Sequence, residues 1–522
     1  MSIFRGHILI GFDESGVQAG AKEVKNAFEK NLAKLNLDDE YKILETGPLG
    51  FFGQGVCLMV YPEQIYYHNV TPENVPLICE EHLLKGRPVK DLLFDKKTIE
   101  LHDFNYKNRI VLDHSGLIDP ENIEEYIGAN GYLAWEKALT QMKPNDIVNE
   151  VKKSELRGRG GAGFTTGLKW SFTAPIESDD KLIVINADEG EPGTFKDRLI
   201  MEGDPHKLLE GIMIAAYAVG AHNAYIYVRG EYKLCIARLR KAIQQAKEYG
   251  LLGKNIMDSG FDLDIDIKIG AGAYVCGEET ALIESMEGNR GTPRTKPPFP
   301  GVKGAWQKPT VVNNVETIAN VPFIILNGAD AYKAHGTGEC FGTKVYTILG
   351  DVAYPGLCEV DMGVRLRDII NKFGGGMKDG KKFKAALVGG AAGVFLSDER
   401  LDVKMDFVSL AEYMAVLGSG AILVMNQDVS MIEMLYSVIR FFRHESCGKC
   451  MPCSVGTQEL FVLINKVRNG YGTQDDLDKM LLIAQTMKDT AFCALGQSLI
   501  MPIKSAFDNF KEEFEAAVKN NE

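Results

Sequence analysis

The sequence predicts a multidomain α/β protein, and three observations lead to that prediction. Short apolar strands alternate with helix-period segments over residues 1–330. Residues 335–428 return to short strands parted by glycine turns. Residues 429–522 carry only helical periodicity. A chain of 522 residues is long enough for about three or four domains. The expected divisions are 1–95, 96–334, 335–428 and 429–522.

The first segment reads as a small βαβ-type unit. Residues 7–11 form a short apolar strand, and 22–35 place Val24, Ala27, Phe28, Leu32 and Leu35 on one helical face. Residues 41–46 and 57–61 are further strands, separated by a glycine-rich turn at 47–55. Charged, irregular sequence is expected from there to about residue 120. In the second segment, 181–186 is a buried-strand candidate and 205–219 a long apolar helix. Residues 224–228 and 261–269 are strands, the second alternating apolar and acidic residues, and Pro-rich 293–300 is loop. The clearest strands of the third segment are 344–349 and 421–425. In the fourth, Ser430 and Glu433 have capping-box spacing, and Ile432, Leu435, Ile439 and Phe442 share a helix face. Another helix starts near Thr473, and a final charged helix covers roughly 504–519.

Composition excludes several classes of function. A net charge of −13 argues against nucleic acid or an anionic membrane as the main partner. No apolar run approaches the ~18 residues of a spanning helix. That absence does not exclude docking onto a membrane-associated complex. The start, Met-Ser-Ile-Phe-Arg-Gly-His-Ile, lacks the layout of a secretory signal. Ten Cys in 522 residues do not make a disulfide scaffold, and a reducing cytoplasm is the expected setting. The 54 glycines cluster at 158–167, 270–291 and 373–393, so several turns look specialised.

Five loops carry candidate chemistry. In the first, Gly158, Gly160 and Gly163 match G-x-G-x-x-G, which lets backbone N–H groups approach a phosphate, with Arg159 and Lys169 as added positive charge. A helical stretch precedes it where a dinucleotide fold has a strand, so a plain glycine connector stays open. The second, Asn186-Ala-Asp188-Glu189-Gly190-Glu191, puts acids at the end of a predicted strand, where α/β proteins place ligands. A solvated acidic turn is its bland reading. The third runs Gly270-Ala-Gly272-Ala-Tyr274-Val-Cys276-Gly277-Glu278-Glu279 into a helix, where the acids also suit simple capping. The fourth is Lys296-Pro-Pro-Phe299-Pro and the fifth Asn313-Asn314-Val-Glu316-Thr317. Five such loops within 160 residues, 158–317, point to one extended ligand site.

Cys447, Cys450 and Cys453 stand at Cys-x-x-Cys-x-x-Cys spacing, with Cys493 as a remote fourth. This pattern suits a [4Fe–4S] cube better than zinc, which prefers separated Cys pairs, or than unligated thiols. Cys57, Cys79, Cys235, Cys340 and Cys358 are isolated and read as structural thiols, and Cys276 has no neighbouring base to make it a nucleophile.

Taken together, Arg-Gly-Arg-Gly-Gly-Ala-Gly-Phe, Asn-Ala-Asp-Glu-x-Glu-Pro-Gly-Thr, Gly-Ala-Gly-Ala-Tyr-x-Cys-Gly-Glu-Glu-Thr-Ala, Lys-Pro-Pro-Phe-Pro, Asn-Asn-Val-Glu-Thr and Glu-Ser-Cys-Gly-Lys-Cys-x-Pro-Cys spell a family. They resemble the NADH-binding flavoprotein subunit of respiratory complex I. The same module occurs in NAD-reducing hydrogenases, NAD-linked formate dehydrogenases and electron-bifurcating complexes. The resemblance spans about 121–522. It implies a Rossmann-like FMN and NADH domain, a ubiquitin-like β-grasp domain and a C-terminal four-helix bundle. For FMN it implies Gly158, Arg159, Gly160, Lys169, Asn186, Asp188, Gly277, Glu278, Asn313, Asn314 and Thr317. For NAD(H) it implies Phe164, Phe172 and Phe299 around the adenine, with Glu191, Tyr274, Glu279 and Lys296 on the rest of the dinucleotide. For the cluster it implies Cys447, Cys450, Cys453 and Cys493. Glu279 near the adenosine ribose is expected to favour NAD(H) over NADP(H).

Residues 1–95 look like the thioredoxin-like ferredoxin domain fused to some relatives. Its cluster loop here reads Thr46-Gly47-Pro48-Leu49-Gly50-Phe51-Phe52, without Cys, and the earlier Cys-bearing loop reads Phe12-Asp13-Glu14-Ser15-Gly16. No cluster is expected in this domain, only docking or scaffolding. Gly190 replaces a usual Ser and Thr165 a usual Pro. The expected activity is NADH:acceptor oxidoreduction of the diaphorase type, with no side-chain acid or base in the hydride step. The expected partners are a thioredoxin-like [2Fe–2S] subunit and further redox subunits. An electron-bifurcating flavoprotein and an assembly subunit with a degenerate site are the alternatives.

Overall fold

The computed structural model describes residues 4–105 and 109–518. Its first sheet has the order β2-β1-β3-β4, from β1 (Gly6–Gly11), β2 (Tyr41–Thr46), β3 (Leu58–Tyr61) and β4 (Ile65–Tyr67). β1 runs parallel to β2 and antiparallel to β3. Helix α1 (Ala21–Leu35) covers the sheet with Val24, Phe28 and Leu32, three of the positions that its periodicity marks as apolar. The stretch expected to be irregular contains a helix at Lys96–Asn105.

The central part holds a four-stranded parallel sheet. Helix α2 (Pro144–Lys153) precedes the first glycine loop and α3 (Thr166–Thr173) follows it. The sheet order is β7-β6-β5-β8, from β5 (Leu182–Ala187), β6 (Asn223–Val228), β7 (Asp264–Ile269) and β8 (Thr310–Asn314). β5 is buried at nearly every position, as a parallel strand covered on both faces must be. Between β5 and β6 lie α4 (Lys196–Gly203) and α5 (Pro205–Val219). In α5 every residue except Tyr217 is buried, which explains its apolar character all round. Asp204 caps it by accepting from the Lys207 N–H, Pro205 starts it, and Gly220 ends it at φ 74°. Helix α6 (Lys233–Glu248) follows β6, α7 (Glu279–Met286) follows the third loop, and the short α8 (Val315–Ala319) follows β8. β7 starts three residues later than its alternation suggests, because Leu263 pairs with Gly253 before the strand begins.

A five-stranded mixed sheet follows, in the order β10-β9-β13-β11-β12. Its strands are β9 (Thr343–Gly350), β10 (Gly356–Asp361), β11 (Phe383–Val388), β12 (Val394–Ser397) and β13 (Ala421–Asn426). The long β9 and β13 run parallel, and the other pairs are antiparallel. Four longer helices follow: α9 (Met431–Glu445), α10 (Met451–Arg468), α11 (Gln474–Thr490) and α12 (Ile500–Asn509). They share a core through Leu435, Ile439, Leu460, Ile464, Met480, Ala484 and Ile503. The expected capping box of α9 is only half formed. Ser430 accepts from the Glu433 N–H, but the Glu433 carboxylate reaches Arg468 at 2.6 Å instead. The final charged helix breaks at Phe510 into α12 and a short Lys511–Ala517 turn of helix. Among the described residues no helix is long and apolar enough to cross a membrane.

A buried carboxylate joins these parts. Glu359 on β10 accepts the backbone N–H groups of Ile110, Val111 and Leu112 at 2.8–3.1 Å and the Thr343 hydroxyl at 2.5 Å. Lys207 holds the same segment through the Ile110 carbonyl at 3.0 Å and through Asp113. Removing the acceptor would strand three buried amides, each worth about 1–3 kcal/mol. Glu359→Ala should therefore destabilise the protein by about 3 kcal/mol or more, read as a lowered thermal midpoint. A midpoint within a degree or so of wild type would show that water or relaxation replaces the carboxylate.

Candidate functional site

The site grows from the carboxyl ends of the parallel strands, where such sheets place ligands. Asn186 at the end of β5 stands beside Asn314 at the end of β8, and Ile185 stands beside Asn313. The Asn186 amide donates to the Gly277 carbonyl at 2.8 Å, which draws the third loop to the second. The first loop closes on itself through Gly158 N–H to Phe164 O at 2.8 Å. It then lies against the fifth loop so closely that a Cβ on Gly160 would come within 2.9 Å of Asn314. Gly163 adopts φ 66° over the ring of Phe407. Asn313 accepts from the Trp170 indole at 2.9 Å, and Thr317 accepts from the Arg159 N–H at 2.8 Å. Four of the five predicted loops thus meet along one strand edge.

Asp188 is the informative acid among them. It is 7% exposed, and both of its oxygens are buried with no hydrogen-bond partner. Burial pushes its carboxyl up to about 7, with Arg229 only partly opposing. A buried acceptor left open is unusual in a folded protein and fits a bound group that brings donors, as FMN would. Glu278 caps α7 by accepting from the N–H groups of Thr280 and Ala281. Its other oxygen meets Lys296 at 2.9 Å. Lys296 also meets Glu279 at 2.9 Å, and Glu279 meets Lys169 at 3.0 Å. Burial would raise Glu279, but Lys169 and Lys296 outweigh it and hold the carboxylate below its ordinary range.

Three aromatics on this side are open to solvent: Phe164, Phe172 and Phe299, at 49%, 59% and 60%. The short helix Pro300–Lys303, which begins after Phe299, packs on α3, which carries Phe172; Gly301 there approaches Thr173. Such rings suit a stacked base. Glu191 and Tyr274 form a separate pair, phenol to carboxylate at 2.6 Å. The Ala391 N–H holds Glu191 at 2.6 Å, and Glu445 at the end of α9 accepts the Tyr274 N–H at 2.9 Å.

All four predicted thiols line one cavity, whose other walls include Val275, Phe492 and Leu495. Cys450 is the N-cap of α10, Cys453 sits in its first turn, and Cys493 is the N-cap of the helix Ala494–Ser498. Helix N-termini favour negative charge. Burial raises the Cys493 thiol, while the Gly496 and Leu495 amides pull it down. Four cysteines around an apolar-walled cavity with helix ends aimed at it fit a Cys₄ iron–sulfur cluster. The other six cysteines are free and buried, as expected of structural thiols.

Two expectations change. Arg159 does not present its charge to the glycine loop: its guanidinium is buried and donates to the carbonyls of Arg157, Phe341 and Thr343 and to Tyr332 Oη. Lys169 is already paired with Glu279 and the Val312 carbonyl. Other residues escaped the sequence reading. Lys196, Asp197, Glu316 and Lys344 form a buried ionic group behind Asn314. Glu189 accepts the Asp197 and Arg198 N–H groups at the start of α4. Only Glu316 and Glu189 lay inside a recognised motif.

Residues 151–323 match the family described as the Nuo51 FMN-binding domain. Residues 433–517 match the NADH-ubiquinone oxidoreductase-F iron–sulfur binding region, and 345–394 match the SLBB domain. The chain is 50% identical over 410 residues to the NADP-reducing hydrogenase subunit HndC of Solidesulfovibrio fructosivorans, a match covering 78% of this chain and 83% of that one. It is 45% identical over 402 residues to the F subunit of the NADH-quinone oxidoreductase of Escherichia coli, covering 77% and 90%. Its structure resembles that of an NAD⁺-reducing [NiFe]-hydrogenase with a TM-score of 0.69 at 28% identity, covering 99% of this chain and 84% of that chain.

Ionised Asp188 accepts through both oxygens, whereas its protonated form turns one of them into a donor, so a proton there would compete with a hydrogen-bond donor of a bound flavin. FMN uptake by the apoprotein should be weak in acid, tighten as pH rises through about 7, and level off above it. Asp188→Asn should flatten that profile in a fluorescence titration. A profile unchanged by the substitution would assign the titration to another acid.

Proposed function

The chain belongs to the family of NADH-binding flavoprotein subunits represented by the F subunit of NADH-quinone oxidoreductase, and from that premise we propose how its residues divide the work. It is an NADH-oxidising, FMN-binding oxidoreductase subunit with a 4Fe–4S region, one part of a multi-subunit complex. FMN when bound supplies the exchange between a two-electron hydride and single electrons, and a [4Fe–4S] cluster supplies a one-electron relay.

The observation that carries this reading is the short turn Tyr274–Gly277. Tyr274 pairs with Glu191 on the nucleotide side, Val275 lines the thiol cavity, and the Gly277 carbonyl holds Asn186 on the flavin side. Four consecutive residues thus touch all three expected sites. Asp188, Asn186, Asn313 and Asn314 orient the flavin, and the glycine loop lies against Asn314. Phe164, Phe172 and Phe299 take the adenine, while Glu191, Tyr274, Glu279 and Lys296 place the rest of the dinucleotide. Cys447, Cys450, Cys453 and Cys493 hold the cluster. No side chain needs to move a proton in the hydride step. The open acceptor Asp188 and the complete thiol set speak against a degenerate assembly subunit.

Residues 1–95 are a thioredoxin-like domain, 96–334 a Rossmann-like domain, 335–428 a ubiquitin-like β-grasp domain and 429–522 a four-helix bundle. The sheet orders and the helix packing support this division. The first domain keeps no thiol at Pro48 or Phe52, so it serves as a scaffold. A separate [2Fe–2S] subunit is then the fitting partner for a second electron.

Selection of NAD(H) needs a revised argument. Glu279 does not stand as a bare negative charge, because Lys169 and Lys296 compensate it. The balance of these charges therefore decides whether a 2′-phosphate is tolerated. Glu279→Gln leaves the ammonium groups in excess, and should raise the NADPH/NADH ratio of kcat/KM by about fivefold. An unchanged ratio would remove Glu279 from the selection. Cys493→Ser should abolish the low-temperature paramagnetic signal of the reduced cluster while FMN content stays at the wild-type level. A signal that persists unaltered would place the fourth ligand elsewhere.

A further inference from the structure

Behind the flavin side of the site lies an ionic group with almost no exposure to water. Lys196, Glu316 and Lys344 are each at most 1% exposed, and Asp197 is 4% exposed. One Glu316 oxygen meets Lys344 at 2.7 Å and Lys196 at 2.9 Å. The other accepts the Val345 N–H at 2.8 Å. Asp197 takes the Lys196 ammonium at 2.7 Å and the Asn314 amide at 2.6 Å. The Asn314 carbonyl oxygen in turn accepts the Glu316 N–H at 3.0 Å. Both ends of the Asn314 side chain are therefore specified, and it cannot flip without leaving a buried group unpaired.

The group also spans two parts of the chain. Glu316 belongs to α8, directly after the Asn-Asn loop, whereas Lys344 and Val345 belong to β9. The glycine loop reaches the same strand by its own route, with the Arg159 guanidinium on the Thr343 carbonyl at 3.1 Å. The Arg159 N–H donates to Thr317, one residue beyond Glu316. Three adjacent residues of β9 thus fix the spacing between the two loops expected to hold FMN.

We propose that Glu316 is a positioning residue for the cofactor: it hooks the Asn313–Thr317 loop onto β9 and so sets the geometry and electrostatics of the flavin site. The inference rests on the FMN reading above. The balance of charge agrees with it. Burial would raise Glu316, but Lys196 and Lys344 outweigh that and keep it ionised. Burial draws Lys344 down to about 8, with Glu316 opposing that shift. Lys196 is held charged by Asp197, Glu316 and Glu189 despite its burial.

The test uses the full chain, with FMN as the probe. Wild-type apoprotein is titrated with FMN, and the midpoint potential of the bound flavin is measured by spectroelectrochemistry. Glu316→Gln should weaken FMN binding about tenfold or more and shift the potential upward, since a negative charge has been removed behind the flavin. Glu316→Gln combined with Lys344→Met removes the unpaired charge as well, so it should restore the thermal midpoint and bring the potential back toward wild type, while FMN binding stays weak because the ion pair to β9 is gone. If the single variant does not fold, the double variant decides. FMN affinity and potential equal to wild type in a folded variant overturn the inference. Wild-type protein that takes up no FMN overturns the site reading itself, and this inference with it.

Discussion

Glu316 has both oxygens engaged in the interior, one on two ammonium groups and the other on the Val345 amide. Moving such charges out of water costs several kcal/mol per ion, and their attraction repays this only when the geometry is close to ideal. The arrangement is therefore a poor way to gain stability and a good way to gain definition. The chemistry-bearing loops form no regular structure of their own, so their registration has to come from outside. Here it comes from β9, through Thr343 to the glycine loop and through Lys344 and Val345 to the Asn-Asn loop. The Thr343 hydroxyl also donates to Glu359, which holds the segment at 110–112. One strand thus ties together the central sheet, the five-stranded sheet and the linker that leads to both.

The three expected sites are close because the loops that form them are shared. The third loop contributes Tyr274, Val275 and Gly277 to three different surroundings within one turn. Glu445 extends that turn into the cluster region by accepting the Tyr274 N–H two residues before Cys447. A change in one site is then felt by the backbone of the next. This compactness suits electron transfer, where short separations matter and side-chain acids do not. It also explains two of the glycines: Gly160 lies against Asn314 and Gly190 against Tyr274, each at a separation that a side chain would fill.

Much of this was legible in the residues. The apolar helix Pro205–Val219 was read to its ends, because Asp204, Pro205 and Gly220 mark them chemically. The thiols and the acidic, glycine and Asn-Asn loops announced themselves by spacing, and the structure gathers them. What could not be read were contacts between residues far apart in the chain. Arg159 looked like a phosphate ligand because its neighbours are glycines, yet its guanidinium finds carbonyls at 341 and 343. Glu433 had capping-box spacing, but Arg468 on the next helix takes its carboxylate. Lys196 and Lys344 carry no local signal at all, since nothing in sequence distinguishes a buried lysine from an exposed one. Sequence patterns reveal which residue types a site uses, whereas tertiary partners decide where each charge points.

The first sheet shows the same logic in its loops, which are taken up by contacts with the rest of the chain. The loop at 46–52 carries Pro48, Phe51 and Phe52. Phe52 packs against Phe195 with ring centroids 5.7 Å apart, and it leaves no room for a side chain on Gly356. Phe51 stacks on Phe94 at 4.0 Å. Gly47 approaches Gly203 so closely that a Cβ would come within 2.5 Å of its Cα. Deeper in, Arg238 of α6 donates to the Phe12 carbonyl at 2.9 Å, and Glu202 accepts the Glu14 N–H at 3.0 Å. The loops at 12–16 and 46–52 are thus used as contacts with the α/β body. Apolar rings and backbone-level packing hold such a contact more firmly than exposed charges would. These contacts hold the first sheet against the α/β body through backbone and rings, with ion pairs at the edge.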